Sequence, residues 1–177
     1  MIRRTICTVI AGLLVLPATV RAQSGADVIR QQGASPLASR ITFPASKDLV
    51  YRIAWGINVG PSQPDSLVPG FRLPANFLYI GDGNDVPRAN VHLAVVIWGS
   101  ATHSLLKNDA YRAAKGADNA SIPLLQALHE AGVQIILCGE ALINRKLSPD
   151  DLLPFVKIAP TATMALATLH AQGYAVF

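Results

Sequence analysis

The chain has 177 residues, and its 15 basic residues outnumber its 11 acidic residues. Most of this excess lies in the first 22 residues, where Arg3, Arg4 and Arg21 have no acidic counterpart, so that 12 basic residues remain in the rest of the chain. That remainder is nearly neutral and has no cluster of Lys and Arg with interleaved aromatic residues, which argues against a nucleic-acid-binding protein.

The first 22 residues have the pattern of a secretory signal peptide. Two arginines precede an apolar run from Ile6 to Leu16, and Val20-Arg21-Ala22 places small residues where a signal peptidase cleaves. A membrane anchor is the alternative, but the run is well short of the roughly 20 residues of a spanning helix. We therefore expect cleavage near Ala22, a periplasmic or secreted protein, and no membrane span after the signal is removed.

Removal of residues 1–22 would leave 155 of the 177 residues, which is the size of one domain. Residues 23–47 are rich in Ser, Ala, Gly and Gln without sustained periodicity, and this composition predicts a flexible N-terminal arm. Residues 48–177 form the predicted domain. Because Cys7 lies in the leader, Cys138 is the single cysteine of the expected mature chain.

Five segments have the pattern of β-strands. Residues 49–59 alternate in character and are rich in Val, Tyr, Ile and Trp, which favour strands. Residues 91–98 and 133–138 are almost continuously apolar, as is typical of strands buried on both faces of a parallel sheet. Shorter strands are predicted at residues 156–159 and 174–177.

Helices are predicted between these strands. Apolar spacing indicates helices at residues 102–115, 119–131 and 161–172, each ended by the glycine that follows. Ser148-Pro149, followed by two aspartates, has the pattern of a further helix start. No regular element is predicted from residue 60 to residue 90, where a proline-rich loop precedes a weakly patterned stretch.

The alternation of strands and helices with short links predicts an α/β fold, in which a parallel sheet has helices on both faces. Ligands of such folds bind beyond the carboxyl ends of the strands. Two predicted strands end there at Trp98-Gly99 and at Cys138, and His103 begins the helix after the first of them. We regard these residues as site candidates; for His103 the alternative is an ordinary residue of a helix start.

Other motifs give weaker indications. Residues 81–85 (GDGND) lack the third glycine of a dinucleotide-binding loop and the sixth-position glycine and closing glutamate of a calcium loop, so a surface turn is the preferred interpretation. No Gly-x-Ser-x-Gly motif supports a serine hydrolase. We expect no metal site, because no metal-ligand spacing relates the four histidines, His92, His103, His129 and His170.

Cys138 has two interpretations. A lone cysteine in an apolar strand is most often a small buried hydrophobic residue. Cys138, however, ends its strand, Gly139 allows a tight turn, and the following residues can begin a short helix whose amide groups would favour a thiolate. Arg145 adds positive charge nearby, whereas Glu140 opposes ionisation.

A family resemblance extends from Tyr51 to Phe177 and is strongest from Val91 onward. It is carried by the strand ending in Gly99, Leu106-Lys107-Asn108-Asp109-Ala110-Tyr111, Leu124 to Leu128, Ala131-Gly132-Val133 running into Cys138-Gly139, Leu152 to Lys157, and Gly173-Tyr174-Ala175. In these stretches the chain resembles the DsrE/DsrF-like family, the sulfur-relay superfamily that includes the Dsr and Tus proteins.

The resemblance implies a Rossmann-like three-layer sandwich with a mostly parallel sheet of about five strands. It also implies a trimeric or hexameric homo-oligomer and a cysteine that accepts sulfane sulfur as a persulfide, a role that falls to Cys138. Relatives often have His-Gly where this chain has Trp98-Gly99, and Cys-Gly-Gln where it has Glu140 as the third residue.

The leading hypothesis is a sulfur carrier or sulfurtransferase that takes sulfane sulfur on Cys138 from a donor and passes it to an acceptor, with no metal or organic cofactor. A second is a non-catalytic, oligomeric binding module of the periplasm. A third is that Cys138 is bridged to another chain or capped by a small thiol. The predicted binding residues are Gly139, Trp98, Gly99, His103, Asn108 and Arg145.

Overall fold

The computed structural model describes residues 23–33 and 38–177. The predicted signal peptide and its cleavage site therefore lie outside the described residues. Within them, Cys138 is the free cysteine, and no helix is both long and apolar enough to cross a membrane.

The centre of the fold is a sheet of five parallel strands. They are β1 (Tyr51–Ile57), β2 (Val91–Ile97), β3 (Gln134–Cys138), β4 (Lys157–Ala159) and β5 (Ala175–Val176). Their spatial order is β4-β3-β2-β1-β5, and each neighbouring pair is parallel. The carboxyl ends of all five strands consequently lie at one end of the sheet, and the predicted α/β class with a parallel sheet is confirmed.

Helices cover both faces of the sheet. They are α1 (Gly25–Gly33), α2 (Arg72–Gly83), α3 (Asn108–Lys115), α4 (Ile122–Glu130), α5 (Gly139–Asn144) and α6 (Ala162–Ala171). The residues of β2 contribute alternately to two hydrophobic cores, one on each face of the sheet, because successive side chains of a strand point to opposite faces. Leu93, Val95 and Ile97 join the larger core with α1, α2 and α4, whereas Ala94 and Val96 join the smaller core under α6.

The helix α1 lies within residues 23–47, the segment for which the sequence predicted a flexible arm and no helix. It has only nine residues and few apolar ones, but it packs against α2 and α4 and buries Ile29. A Cβ atom on Gly33 would come within 2.6 Å of Ala75, so the close approach of the two helices depends on glycine. Ser24 Oγ caps the helix by accepting a hydrogen bond from the Asp27 amide at 3.2 Å.

The helix α2 lies in the weakly patterned stretch for which no element was predicted. Pro74 falls in its first turn, where the missing N–H needs no partner. Phe77 packs edge-on against Tyr51 and Trp55 of β1, with ring centroids 5.6 and 6.2 Å apart. The GDGND motif is the last turn of α2 followed by a turn, in which Asp85 has a positive φ of 55°.

One backbone pairing corrects two further predictions. Leu106 forms an antiparallel bridge with Leu152, and both residues have extended backbones. The helix predicted at residues 102–115 is therefore split into a 3₁₀ helix, Gly99–Leu105, and α3. The helix predicted from Ser148 stops after one 3₁₀ turn, Pro149–Asp151, although Ser148 Oγ does accept the capping hydrogen bond from the Asp150 amide.

Candidate functional site

The ends of β2 and β3 lie side by side at the carboxyl end of the sheet. Ile97 pairs with Leu137, so the next residues, Trp98 and Cys138, are level with each other. By strand alternation both belong to the face that carries Val96, Ile136 and α6. The structure thus brings the two predicted strand ends together.

Cys138 is the last residue of β3 and the residue directly before α5. It is 5% exposed, so its thiol is largely covered in this conformation. A Cβ atom on Gly139 would lie 2.8 Å from the carbonyl oxygen of Ala159 and 3.2 Å from that of Pro160. The turn that carries Cys138 is therefore pressed against the end of β4, and only glycine fits there.

The Trp98 ring extends over β1, on the side of β2 opposite to β3. A Cβ atom on Gly56 would lie 2.6 Å from the ring atom Cη2, so glycine in β1 makes room for the indole. Trp98 packs against the smaller core and is half-buried. In this structure it therefore supports the sheet end and does not turn toward Cys138.

Gly99 locks the end of β2 to the end of β1. Its φ is +58°, and a Cβ atom would collide with the carbonyl oxygen of Asn58. The next residue, Ser100, accepts a hydrogen bond from the Gly60 amide at 2.8 Å and donates one to the Asn58 carbonyl at 3.3 Å. Gly99 thus contributes to the site through its main chain, which holds the end of β2 against the end of β1.

His103 lies in the 3₁₀ helix and faces a cavity of about 150 Å³. The loop 60–64 forms one wall of the cavity, and Ser100, Tyr111 and Lys115 complete the other. Burial lowers the pKa of His103, and the positive charges of Lys115 and Arg145 lower it further. The charge of Arg145, predicted to act near Cys138, thus reaches His103.

Asn108 has a structural function in this conformation. Its Oδ1 accepts a hydrogen bond from the Asn119 amide at 2.9 Å. Its side chain also hydrogen-bonds Asp118 and, after the larger effect of Arg112, helps to lower the pKa of that carboxyl. Asn108 holds the segment between α3 and α4, and the cavity beside His103 is lined by other residues.

Sequence reasoning missed most of the cavity wall. The loop 60–64 follows β1. Because ligands of such folds bind beyond the carboxyl ends of the strands, this loop could have been predicted as part of the site, like the ends of β2 and β3. Nothing in the sequence indicated that Lys115 and Tyr111 line the cavity, because their position depends on where α3 begins. No group of three or more potential metal ligands occurs within the described ranges.

The parallel sheet, the two helical layers and the strand-end site define a Rossmann-like α/β protein. The chain belongs to the DsrE/DsrF-like family, whose model matches residues 77–177. No curated protein sequence matches it.

Two solved structures show what the fold is similar to. One is MTH1491, a protein of unknown function from Methanobacterium thermoautotrophicum, with 17% sequence identity, a TM-score of 0.50, and coverage of 72% of this chain and 97% of that one. The other is the ychN protein from E. coli, with 20% identity, a TM-score of 0.48, and coverage of 72% and 99%.

Proposed function

We propose that the protein carries sulfane sulfur on Cys138, as a sulfur carrier or sulfurtransferase. The observation that supports this most directly is the place of Cys138, at the carboxyl end of β3 and directly before α5, in a member of the DsrE/DsrF-like family. The family resemblance implies a persulfide-forming cysteine after this strand. Cys138 is also the free thiol within residues 23–33 and 38–177.

The chemistry is a thiolate displacement in two steps. The Cys138 thiolate attacks the outer sulfur of a donor persulfide, R–S–SH; the donor S–S bond breaks, R–S⁻ leaves, and Cys138–S–SH remains. An acceptor thiolate then attacks the outer sulfur and releases the Cys138 thiolate. Each step moves one sulfane sulfur without net oxidation, so the residues need no redox cofactor for it.

The burial of Cys138 sets a condition on this reaction. A residue that is 5% exposed offers little access to a donor, and Gly139 is held close to Ala159 and Pro160. Loading therefore requires local opening of the turn between β3 and α5. We expect slower alkylation of Cys138 than of a cysteine introduced at the exposed Thr163 in a Cys138→Ser background.

Cyanolysis tests the proposal. After polysulfide treatment and desalting, cyanide should release about one thiocyanate per chain from the wild type, because it removes sulfane sulfur from a persulfide. Cys7→Ser is the matched control and should release the same amount, whereas Cys7→Ser/Cys138→Ser, which has no cysteine, should release none. Equal release from all three proteins would contradict the proposal.

A second candidate function is favoured by the same burial and by the cavity at His103. In this alternative the protein is a non-catalytic module that binds a small molecule or a partner protein at the carboxyl end of the sheet. A Cys138→Ser variant would then keep the cellular phenotype of the wild type. Loss of that phenotype in a folded Cys138→Ser protein would contradict the alternative.

We also propose an exported homo-oligomer that exchanges sulfur with donor and acceptor proteins. The exposed apolar residues Ile143, Ile158 and Met164, on α5, β4 and α6, support an interface at that end of the sheet. Sedimentation equilibrium should give a trimer or a hexamer.

N-terminal sequencing of the protein from a bacterial host should begin at Gln23, and a sequence starting at Met1 would contradict export by cleavage.

A further inference from the structure

The cavity beside His103 is a built site at the ends of β1 and β2. Its two walls are tied together, because Ser100 Oγ accepts a hydrogen bond from the Gly60 amide at 2.8 Å and the Tyr111 hydroxyl donates to the Pro64 carbonyl at 2.7 Å. These contacts hold the loop 60–64 at both ends. The cavity is therefore preformed, and a ligand would not have to order the loop.

Two basic side chains, His103 and Lys115, line the cavity. Nδ1 of His103 is buried and has no hydrogen-bond partner among the described residues. A buried polar atom of this kind destabilises a protein unless something pairs with it. Lys115 lines the same cavity and forms no salt bridge within the described part of the chain.

The charges around the cavity favour an anion. Lys115 and Arg145 are both close enough to act on the pKa of His103. Asp65 acts on the pKa of Tyr111 from the loop side and is the opposing charge. Lys115 is the charged residue that lines the cavity, and Arg145 and Asp65 act on its lining residues from outside, so two cations face one carboxylate. The volume of about 150 Å³ is below the roughly 300 Å³ at which pockets for drug-sized ligands begin.

We propose that this cavity binds a small inorganic oxyanion of the sulfate or phosphate type, with the His103 imidazole and Lys115 Nζ as its donors. Both contacts would be charge-assisted hydrogen bonds, which are the stronger kind. The proposal is independent of sulfur transfer, since neither donor belongs to the turn that carries Cys138.

The test is a titration of the full chain with sodium sulfate, and separately with sodium phosphate, at constant ionic strength in chloride. The side-chain NMR resonances of His103 should shift with saturation. The pKa of His103 should rise when the site is full, because a bound anion stabilises the imidazolium. A shift that does not saturate for either anion would overturn the proposal.

Paired variants locate the site. His103→Gln and Lys115→Gln should each weaken the binding of sulfate about tenfold, the size expected for one charge-assisted hydrogen bond. His170→Gln and Lys157→Gln, exposed changes of the same chemistry elsewhere, should leave it unchanged. Lys115 is exposed, so its variant is informative even if His103→Gln does not fold.

A Cys138→Ser variant separates this site from the proposed sulfur chemistry. It should bind sulfate as the wild type does while losing all persulfide. Equal weakening by the His103, Lys115, His170 and Lys157 variants would show non-specific attraction and overturn the proposal, whatever the outcome at Cys138.

Discussion

Gly99 has a φ of +58°, and the carbonyl oxygen of Asn58 stands where its Cβ atom would be. A Gly99→Ala variant is therefore destabilised in two ways. It places alanine in a left-handed backbone conformation, and its Cβ atom collides with the main chain of Asn58, just after β1. We expect it to lower the free energy of unfolding by more than about 2 kcal/mol, measured from urea denaturation.

Gly116 provides the matched control. Its φ is +73°, but nothing lies within 4 Å of its Cβ position. Gly116→Ala should therefore cost about 1 kcal/mol, the backbone penalty alone. Equal effects of the two substitutions would contradict the collision at Asn58.

The lowered pKa of His103 predicts a pH dependence of stability. Burial, followed by Lys115 and Arg145, disfavours the imidazolium in the folded protein. The unfolded chain, with a pKa near 6.5, then binds the proton more readily than the folded chain does. Stability should therefore decrease as the pH falls below about 6.5 and level off below the folded pKa.

Replacing His103 should remove this part of the pH dependence. In a chloride buffer, the loss of stability between neutral and mildly acidic pH should be smaller for His103→Gln than for the wild type. His170→Gln, which changes an exposed histidine of α6, should keep the wild-type slope. A slope for His103→Gln as steep as that of the wild type would contradict the assignment.

At the scale of residues, the sequence places Cys138 and Trp98 correctly at strand ends because continuous apolar runs mark where buried strands stop. Their surroundings are less predictable. The Trp98 ring lies over Gly56, and the positive charges that help to lower the pKa of His103 belong to Lys115 and Arg145. These contacts join distant parts of the chain, and no local pattern encodes them.

At the scale of elements, the connection between β2 and α4 depends on the buried side chain of Asn119. Its Nδ2 donates to the carbonyls of Ser104 and Leu106, both at 2.9 Å, and its Oδ1 accepts from the Ser121 amide at 3.1 Å. These bonds hold the 3₁₀ helix that carries His103 against the start of α4. The sequence predicted only a helix that begins at Asn119.

An Asn119→Ala variant should be strongly destabilised, because it leaves two carbonyls and one amide unpaired in a buried place. We expect a loss of about 2–4 kcal/mol in the free energy of unfolding, measured by urea denaturation. Asn144→Ala, at an exposed position of α5, is the control and should change it by less than about 0.5 kcal/mol. Similar losses from both would contradict the role of this network.

The two incorrect helix predictions have one physical cause. Residues 102–115 and 148–151 have real helical signals, but Leu106 and Leu152 adopt extended backbones to pair with each other. Pro154 also opposes continuation of the helix from Ser148, since it disfavours the helical region for Leu153, the residue before it. A contact between residues 46 positions apart overrides local propensity at both sites.

At the scale of the whole molecule, the parallel sheet could be predicted because strand-like segments alternate with helical ones and two of the strands, β2 and β3, are almost continuous apolar runs. The helices α1 and α2 could not. The first is held by its packing against α2 and α4, and the second contains Pro74, which argues against a helix in a sequence pattern. The family match at residues 77–177 agrees with the half of the chain in which the local patterns are clearest.

The central claim is that Cys138 accepts sulfane sulfur in the folded protein. Peptide mass mapping after polysulfide treatment at neutral pH, with free thiols and persulfides alkylated, tests it most directly. The Cys138 peptide of the wild type and of Cys7→Ser should gain about 32 Da over its alkylated thiol form, the mass of one sulfur atom. A Cys138 peptide that shows only the thiol form after treatment would contradict the account.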